Sequence, residues 1–414
     1  MTRRVAITGV GCVSALGNTA PEFWAACLAG KSGISQIGGF DMTGVRFQNG
    51  AQAHGFDASR HFDGKQLIPL DRFAQLAIVA AREALAQAQL ELTDDERSRA
   101  AIVTGSCYGG KTSEDAGFAA LYRDAQPRIH PMTIPRLMAN AGASALTVEL
   151  GWQGPVWTVS TACSSANHAI GQAFWLVRHG LADVALTGGS EAPFTYGSLK
   201  AWEALRVVSP DTCRPFSKGR NGMVLGEGAG MLVLQPLDRA LARGATVIAE
   251  IAGFGMGADA HHITQPSAAG AARALRLALA DAQLTPEAIG VVNAHGTGTA
   301  ANDVTESAAI RDVFAGNLQD LRVTASKSLH GHALGASAAL EAVATVLGLQ
   351  AQRVIPTANF LERDPECDVP LCLEQQPWDH AAAVSNSFAF GGLNAVLVFT
   401  RKLGRPQSPV PSLS

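Results

Sequence analysis

Short runs rich in β-branched residues, many of them ending at glycine, predict a series of buried strands. They lie at 5–9, 101–105, 156–160, 184–189, 231–234, 247–252, 291–295, 323–326 and 396–399. Between several of these runs the apolar residues take a helical spacing, at 72–88, 270–283 and 333–349. Strands that alternate with helices in this way favour mixed α/β layers.

The two halves of the chain echo each other. Residues 226–230 form a glycine-rich turn before the apolar run MLVLQPL, and residues 389–394 form a second such turn before AVLVFTR. This repetition predicts an internal duplication, with one half at 1–250 and the other at 251–403. The segment 404–414 holds three prolines and three serines and is expected to be disordered.

Composition narrows the class of protein. The chain has 414 residues, of which 47% are hydrophobic and 16% are charged, against roughly 25% charged in an ordinary soluble domain. A chain so poor in charge is not intrinsically disordered, and its length excludes a small scaffold that depends on disulfides or zinc. The net charge of −3 argues against broad nucleic-acid binding, which needs a basic surface.

Two windows, 150–177 and 380–400, contain no Asp, Glu, Lys or Arg. Both carry several serines and asparagines, so they favour elements buried inside protein over membrane spans. The N-terminal MTRRVAITG enters a strand-like run at once, which predicts no signal peptide. Seven cysteines without a C-x-x-C pair argue against disulfides and zinc and favour a cytoplasmic location.

The strongest chemical signal lies around Cys163. The strand at 156–160 meets a turn of small residues, and a helix is predicted from about 164 to 179. A thiol at a helix N-terminus is close to unpaired backbone N–H groups, which stabilise its thiolate and lower its pKa. Most cysteines are ordinary buried residues, but this strand–turn–helix position favours a nucleophile.

A nucleophilic thiol needs partners that handle protons, and two glycine-rich segments supply them. His295 follows one predicted strand, and His332 follows another with Lys327 five residues before it. A lone histidine is usually a structural hydrogen bonder. Two histidines in matching settings favour a shared catalytic role.

Four motifs together resemble the β-ketoacyl-acyl-carrier-protein synthases, in the elongating, type II-like branch of the thiolase-fold condensing enzymes. They are TACSSA at 161–166, AHGTGT at 294–299, SKSLHGHALGA at 326–336 and SNSFAFGG at 385–392. The resemblance extends over nearly the whole chain. It implies an α/β, thiolase-like duplicated αβαβα fold of five layers that works as a dimer.

The resemblance also implies the reaction, with Cys163, His295 and His332 as the catalytic triad. Cys163 takes an acyl group from an acyl carrier protein, and a malonyl carrier then loses CO2 and extends the chain by two carbons. Lys327 is expected to tune the site and hold His332, with Glu341 as a buried acid that can pair with it. No tightly bound cofactor is expected, because the carrier protein supplies the phosphopantetheine.

Further roles follow from the resemblance alone. The backbone N–H groups of Cys163 and Phe390 form the oxyanion hole, and Phe390, Gly391 and Gly392 form a gate. The remaining implied positions are the phosphopantetheine-binding Thr297 and Thr299, and a monovalent cation site at Asn293, Glu341, Ser385 and Asn386.

Substrate and partners are less closely defined. The acyl pocket is expected at Tyr108 and Phe388, and the bulk of Tyr108 favours a short, unsaturated or otherwise unusual acyl chain. Lys65, Arg128 and Arg206 are either a docking patch for the acidic carrier or plain solvated charges. The partner subunit is either a second copy or a related chain-length factor, and the pathway stays open between fatty-acid, aryl-polyene and polyketide synthesis.

Three rival functions are disfavoured by the motifs. A degradative thiolase uses a second cysteine in the closing loop, which here reads SNSFAFGG. A non-catalytic chain-length partner typically lacks the nucleophile that this chain keeps at Cys163. A cysteine hydrolase needs a Cys–His pair oriented by Asn or Asp and a route for water, and the paired histidines and the gate argue against it.

Overall fold

A computed structural model describes residues 2–378 and 380–401 of the protein. The segment 404–414, for which we expect disorder, lies outside the described residues. Among these, fourteen strands and fourteen α-helices alternate along the chain, as the hydrophobic pattern predicts.

The strands are β1 Val5–Ser14, β2 Ser35–Gln36, β3 Asn49–Gly50, β4 Ala100–Gly105, β5 Val156–Val159, β6 Val184–Glu191, β7 Gly228–Pro236, β8 Ala249–Ala258, β9 Ile289–Asn293, β10 Arg322–Thr324, β11 Arg353–Val354, β12 Gln376–Pro377, β13 Ala382–Ala389 and β14 Leu393–Thr400. The helices are α1 Ala20–Leu28, α2 Gly64–Leu67, α3 Arg72–Ala88, α4 Asp94–Arg97, α5 Lys111–Tyr122, α6 Thr133–Leu137, α7 Ala141–Leu150, α8 Ser165–Arg178, α9 Tyr196–Leu205, α10 Leu237–Ala242, α11 Ala268–Ala282, α12 Ala300–Val313, α13 Lys327–His330 and α14 Ser337–Ala351.

Ten of the strands form one sheet whose two halves have the same arrangement. Its order is β10-β9-β13-β14-β8-β1-β7-β6-β4-β5. In the first half β5, β4 and β6 are parallel and β7 is antiparallel to β6. In the second half β10, β9 and β13 are parallel and β14 is antiparallel to β13. The halves join where β1 pairs with β8, and their matching order confirms the duplication.

Helices cover both halves and also lie between them. α3 and α7 pack on the outer face of the first half, while α11 and α12 pack on the outer face of the second. α8 and α14 contact each other and strands of both halves, so they form a shared middle layer. The result is the five-layer αβαβα arrangement that the resemblance implies.

The windows without charged residues lie in this interior. α8, with buried residues such as Ile170 and Phe174, occupies the end of the first window, and β13 and β14 occupy the second. One helical stretch of described residues, 334–351, has the length and apolar composition of a membrane span, and 89% of it is buried inside the protein. A helix in the middle layer of five shows the same composition, because it is covered on every side.

The structure moves several predicted boundaries. The helix predicted from 333 begins instead at Ser337, after a short 3-10 turn at Leu334–Ala336. Leu334 has a left-handed φ of 45°, which no α-helix accommodates. The predicted strand at 247–252 is in fact Ala249–Ala258, because it pairs with β14 beyond the apolar run.

Candidate active site

Cys163 lies in a tight turn between the end of β5 and the start of α8. Ala162 has a left-handed φ of 52°, which turns the chain sharply before the nucleophile. The Ser165 hydroxyl donates to the Ala162 carbonyl at 2.6 Å and accepts from the Thr161 N–H at 2.9 Å. This turn presents the Cys163 side chain, which is buried, at the bottom of a cleft.

The pKa of Cys163 differs from the sequence-based expectation. We expect the helix N-terminus to lower it, but burial raises the pKa of this thiol to about 11. Lys327 and hydrogen bonds from the backbone N–H groups of Phe390 and Cys163 act in the opposite direction. Removal of the thiol from water outweighs these contributions, so the resting group is a thiol that needs assistance to ionise.

His295 follows β9 and is held by charged neighbours. The ammonium of Lys327 donates to His295 Nδ1 at 3.1 Å and to the His295 carbonyl at 2.6 Å. The His295 backbone N–H donates to the Glu306 carboxylate at 2.8 Å. Because an ammonium can only donate, Nδ1 accepts, and the proton of the neutral imidazole lies on Nε2.

His332 reaches the same tautomer through neutral groups. The Leu334 backbone N–H donates to His332 Nδ1 at 3.0 Å, and the Ser337 hydroxyl lies 2.8 Å from the same nitrogen. A nitrogen that accepts from a backbone N–H carries no proton, so Nε2 of His332 is again the donor. Burial, the charge of Lys327 and further smaller effects hold the pKa of each histidine well below its ordinary value.

The three side chains converge. The Cys163 sulfur and one ring nitrogen from each of His295 and His332 all lie within 4.8 Å of one another. The two imidazoles are 5.6 Å apart and perpendicular. Since both Nδ1 atoms are engaged elsewhere, the site presents two neutral Nε2–H donors beside a thiol, an arrangement suited to stabilising a developing oxyanion.

Lys327 contacts a different histidine from the one that the sequence predicts. We expect it to hold His332, but its contacts are with His295 and with the Glu341 carboxylate. Its three ammonium protons meet three acceptors: His295 Nδ1, the His295 carbonyl and Glu341 Oε1. Both Lys327 and Glu341 are completely buried, and burial raises the pKa of Glu341 to about 7.

The expected cation residues lie next to this pair. Ser385 of β13 pairs in register with Asn293 of β9, and the Asn293 amide donates to the Glu341 carbonyl at 3.1 Å. Glu341 Oε2, Ser385 Oγ and Asn386 Oδ1 are buried, and none has a hydrogen-bond partner among the described residues. Buried oxygens without partners are costly, and their chemistry fits a hard monovalent cation.

The cleft above the triad has a volume of about 430 Å³. Thr297 and Thr299 line it, with their hydroxyls 2.8 Å apart. Arg206 and Phe388 also line it, and the Phe388 ring lies 6.3 Å from that of His295. Lys65 and Arg128 are exposed and do not line the cleft, so of the three basic positions only Arg206 is brought to the site.

Phe390 closes one side of the cleft and is 37% exposed. Its ring stacks on Trp202 at 6.4 Å. Gly391 and Gly392 follow it with left-handed φ values of 82° and 68°, which favour glycine. The Gly391 N–H donates to the Ile263 carbonyl at 2.7 Å, so this segment rests on a second loop of the cleft wall.

Tyr108 lies in the segment between β4 and α5 and shares an apolar cluster with Trp202. Its ring packs in an apolar cluster with neighbours such as Phe194 and Leu334, and its hydroxyl faces Trp202 and Ser198. Burial raises the pKa of Tyr108 to about 12. Tyr108 is not among the residues that line the cleft, although Phe388 is, so the acyl-pocket role expected of Tyr108 stays a prediction.

Sequence reasoning missed several residues that organise the site. Glu306 binds the backbone of His295 and Gly296, and Ser337 contacts His332. Glu191 binds the segment that carries Tyr108. Glu191 carries a weak signal, since it is the only charged residue between Asp183 and Lys200, whereas Glu306 has Asp303 and Arg311 close by and carries none. Ser337 carries none, because a serine at the start of a helix is common.

Residues 2–240 match the family model described as "Beta-ketoacyl synthase, N-terminal domain", and residues 248–361 match "Beta-ketoacyl synthase, C-terminal domain". Nodulation protein E of Rhizobium sp. (strain N33) is 44% identical over 96% of this chain and 99% of its own. The 3-oxoacyl-[acyl-carrier-protein] synthase 2 of Staphylococcus aureus (strain N315) is 39% identical over 96% of this chain and 98% of its own.

Solved structures give the same result. The structure described as "The ishigamide ketosynthase/chain length factor" superposes with a TM-score of 0.92 at 36% identity, over 97% of this chain and 100% of its own. Both family models, the Staphylococcus aureus relative and this structure are described as β-ketoacyl synthases, a 3-oxoacyl synthase and a ketosynthase. The chain therefore belongs to the beta-ketoacyl synthase family of condensing enzymes, which are acyltransferases.

Proposed function

We propose that the protein is a β-ketoacyl-acyl-carrier-protein synthase that condenses malonyl-carrier with an acyl group held as a thioester on Cys163. One observation carries this proposal: the Cys163 thiol lies beside two neutral histidines whose Nε2–H groups face it. A hydrolase or a thiolase needs a group that removes a proton from water or carbon. Two hydrogen-bond donors instead suit a reaction that generates an enolate by losing CO2.

In the first step the Cys163 sulfur attacks the carbonyl carbon of the acyl thioester on the carrier. The bond from that carbon to the phosphopantetheine sulfur breaks, and the phosphopantetheine leaves as a thiol with the proton of Cys163. The backbone N–H groups of Phe390 and Cys163, which already reach this sulfur, stabilise the tetrahedral oxyanion. Thr297 and Thr299 supply hydroxyls along the cleft for the phosphopantetheine arm.

In the second step the malonyl thioester binds with its carbonyl oxygen at the Nε2–H groups of His295 and His332. The carbon–carbon bond to the carboxylate breaks and CO2 leaves. The electron pair of that bond stays on the malonyl carbon and forms an enolate. The enolate carbon attacks the Cys163 thioester, and the carbon–sulfur bond to Cys163 breaks. The product is a β-ketoacyl thioester on the carrier, longer by two carbons, and the released Cys163 thiolate takes up one proton from solvent.

We infer a monovalent cation at Asn293, Glu341, Ser385 and Asn386. The unpartnered oxygens of the last three support it, and a cation there supplies positive charge beside the Glu341 carboxylate. No other cofactor is needed, because the carrier brings the phosphopantetheine.

The acyl carrier protein is the proposed partner, with Arg206 at the cleft entrance and Lys65 and Arg128 as outlying basic groups for its acidic surface. A second copy of the chain or a related chain-length factor is the proposed partner subunit, as in the ketosynthase/chain length factor structure. All seven cysteines are free, which supports a cytoplasmic location.

The test is the intact mass of the protein after incubation with acyl carrier proteins that bear acyl chains of graded length. We expect acyl transfer to the wild type, none to Cys163→Ala, and full transfer to Cys367→Ala, which removes a buried cysteine that does not line the cleft. Short or unsaturated chains should transfer best, because Tyr108 restricts the pocket. Labelling of Cys163→Ala, or no transfer from any carrier, contradicts the proposed function.

A further inference from the structure

Glu191 is a buried carboxylate that the proposed reaction does not use. It ends β6 and has no exposed surface. Four donors surround it: the Ser106 hydroxyl and the Tyr108 N–H on Oε1 at 3.1 Å each, the Cys107 N–H on Oε2 at 2.6 Å, and the Gly335 N–H on Oε2 at 3.1 Å. All four are neutral groups.

These donors come from two separate segments. Ser106, Cys107 and Tyr108 belong to the segment that joins β4 to α5, and Tyr108 packs in one apolar cluster with Trp202 and Met223, which line the cleft. Gly335 belongs to the turn after His332, and its neighbour Leu334 donates to His332 Nδ1. One carboxylate therefore ties the pocket wall to the turn that orients a catalytic histidine.

The contact between the segments is close. A Cβ atom at Gly335 would lie 2.4 Å from the Cys107 nitrogen and 2.7 Å from Glu191 Oε2, so only glycine fits. Ser106 connects Glu191 indirectly to Gly109, because the Ser106 hydroxyl that donates to Glu191 also accepts from the Gly109 N–H at 3.0 Å. The segment thus depends on Glu191 directly and through Ser106.

A carboxylate is the group that such a place requires. Each of its oxygens accepts from two donors, and a neutral amide cannot do so, because its NH2 group would face N–H donors on one side. A buried carboxylate without a cation is expensive, and burial raises the pKa of Glu191 to about 7. A group kept at that cost indicates a task beyond packing.

We propose that Glu191 is a positioning residue for substrate selection: it fixes the wall of the acyl pocket at 106–109 against the His332 turn and so sets which acyl chains reach Cys163. The proposal rests on the proposed function, because it takes the space beside Tyr108 to be the acyl pocket. Its effect is exerted through Tyr108 and does not involve contact with the reacting atoms.

The test compares the reaction of Cys163 with methyl and decyl methanethiosulfonate. These reagents transfer an alkylthio group to the thiol and release methanesulfinate, and peptide mass confirms that Cys163 is the residue modified. In the wild type the methyl reagent should react much faster than the decyl reagent. In Glu191→Gln the ratio of the two rate constants should fall about tenfold, the size of one lost buried hydrogen bond.

Two further variants make the result decisive. Ser106→Ala keeps the Glu191 carboxylate and removes one donor to it, so the ratio of methyl to decyl rate constants should fall less than in Glu191→Gln. If Glu191→Gln does not fold, Ser106→Ala takes its place as the test. Glu83→Gln is the matched control, because Glu83 also accepts from two backbone segments, through Cys12 and Ala20, away from the cleft. Its ratio should equal that of the wild type.

An unchanged ratio in folded Ser106→Ala and Glu191→Gln overturns the proposal and leaves Glu191 a structural group. An equal fall in Glu83→Gln also overturns it, because the effect is then a general loss of stability. The ratio of the two thiol-modification rate constants is measured without carrier protein, so it separates this proposal from the proposed function. If no carrier acylates the wild type, the ketosynthase proposal fails while the ratio still decides the role of Glu191.

Discussion

His295 and His332 present the same face to Cys163 but are held by different kinds of group. Both are buried and neutral, and both point Nε2–H toward the thiol. Behind His295 stand three charged residues, Lys327, Glu341 and Glu306. Behind His332 stand a hydroxyl and a backbone N–H.

The difference matters because charges and dipoles act over different distances. In a buried site a charge changes the pKa of groups several ångströms away, whereas a neutral hydrogen bond acts mainly on the group that it contacts. Of the two histidines Lys327 contacts only His295, yet it lowers the pKa of His332 as well. Removing Lys327 should therefore change the pKa of both histidines. Removing the hydroxyl beside His332 should change the environment of His332 alone.

The largest effect is expected for Lys327→Met. Removing the ammonium frees His295 Nδ1 and removes one cause of the low pKa of both histidines, so both pKa values rise. Condensation should fall at least about 100-fold, in the range seen when one electrostatic group of an active site is lost. The acid limb of the pH–rate profile should move to higher pH, because the imidazoles now become protonated sooner as the pH falls.

Stability must be separated from this effect. Lys327→Met leaves Glu341 buried without its partner, which typically costs about 3–5 kcal/mol of unfolding free energy. The double variant Lys327→Met/Glu341→Gln removes that unpaired charge and should recover much of the thermal stability but none of the activity. Recovery of activity in the double variant would contradict the role given to the ammonium.

A smaller effect is expected for Glu341→Gln. The amide oxygen still accepts from Lys327, so the ammonium stays near His295, but its charge is no longer balanced. We expect condensation to fall about tenfold, roughly the value of a charge-assisted hydrogen bond. The steady-state rate of the wild type should be higher with potassium than with a bulky organic cation as the only monovalent cation. This difference should be smaller in Glu341→Gln, since Glu341 Oε2 belongs to the candidate cation site.

Much of the fold was predictable because its signals are local. The apolar spacing over 72–88 gives α3 with the same bounds, and the repeated glycine-rich turns gave the duplication. The start of α14 was not predictable, because it depends on the left-handed backbone of Leu334, in the turn that connects His332 to the helix. The Gly335 N–H of that turn donates to Glu191, which lies 144 residues earlier in the chain, and no short window contains such a contact.

The candidate site divides in the same way. The Cys163 turn and the two histidine segments carry local motifs, and the structure brings their side chains together. The partner of Lys327 was misplaced, since sequence proximity favours His332 and the fold instead places His295 at the ammonium. The raised pKa of Cys163 was also missed, because burial depends on every layer of the fold.

The smallest effect, and the sharpest test of the contrast, is expected for Ser337→Ala. It removes the hydroxyl beside His332 Nδ1 but leaves the Leu334 N–H, so the tautomer of His332 is retained. Condensation should fall only about two- to fivefold, the effect of one neutral hydrogen bond, with no movement of the acid limb. Ser328→Ala removes a buried serine hydroxyl that donates to the Ala325 carbonyl and contacts neither histidine, so it should change stability alone. If Ser337→Ala instead matched Lys327→Met in rate and pH profile, the two histidines would depend on one shared network, and the distinction between charged and neutral support would fail.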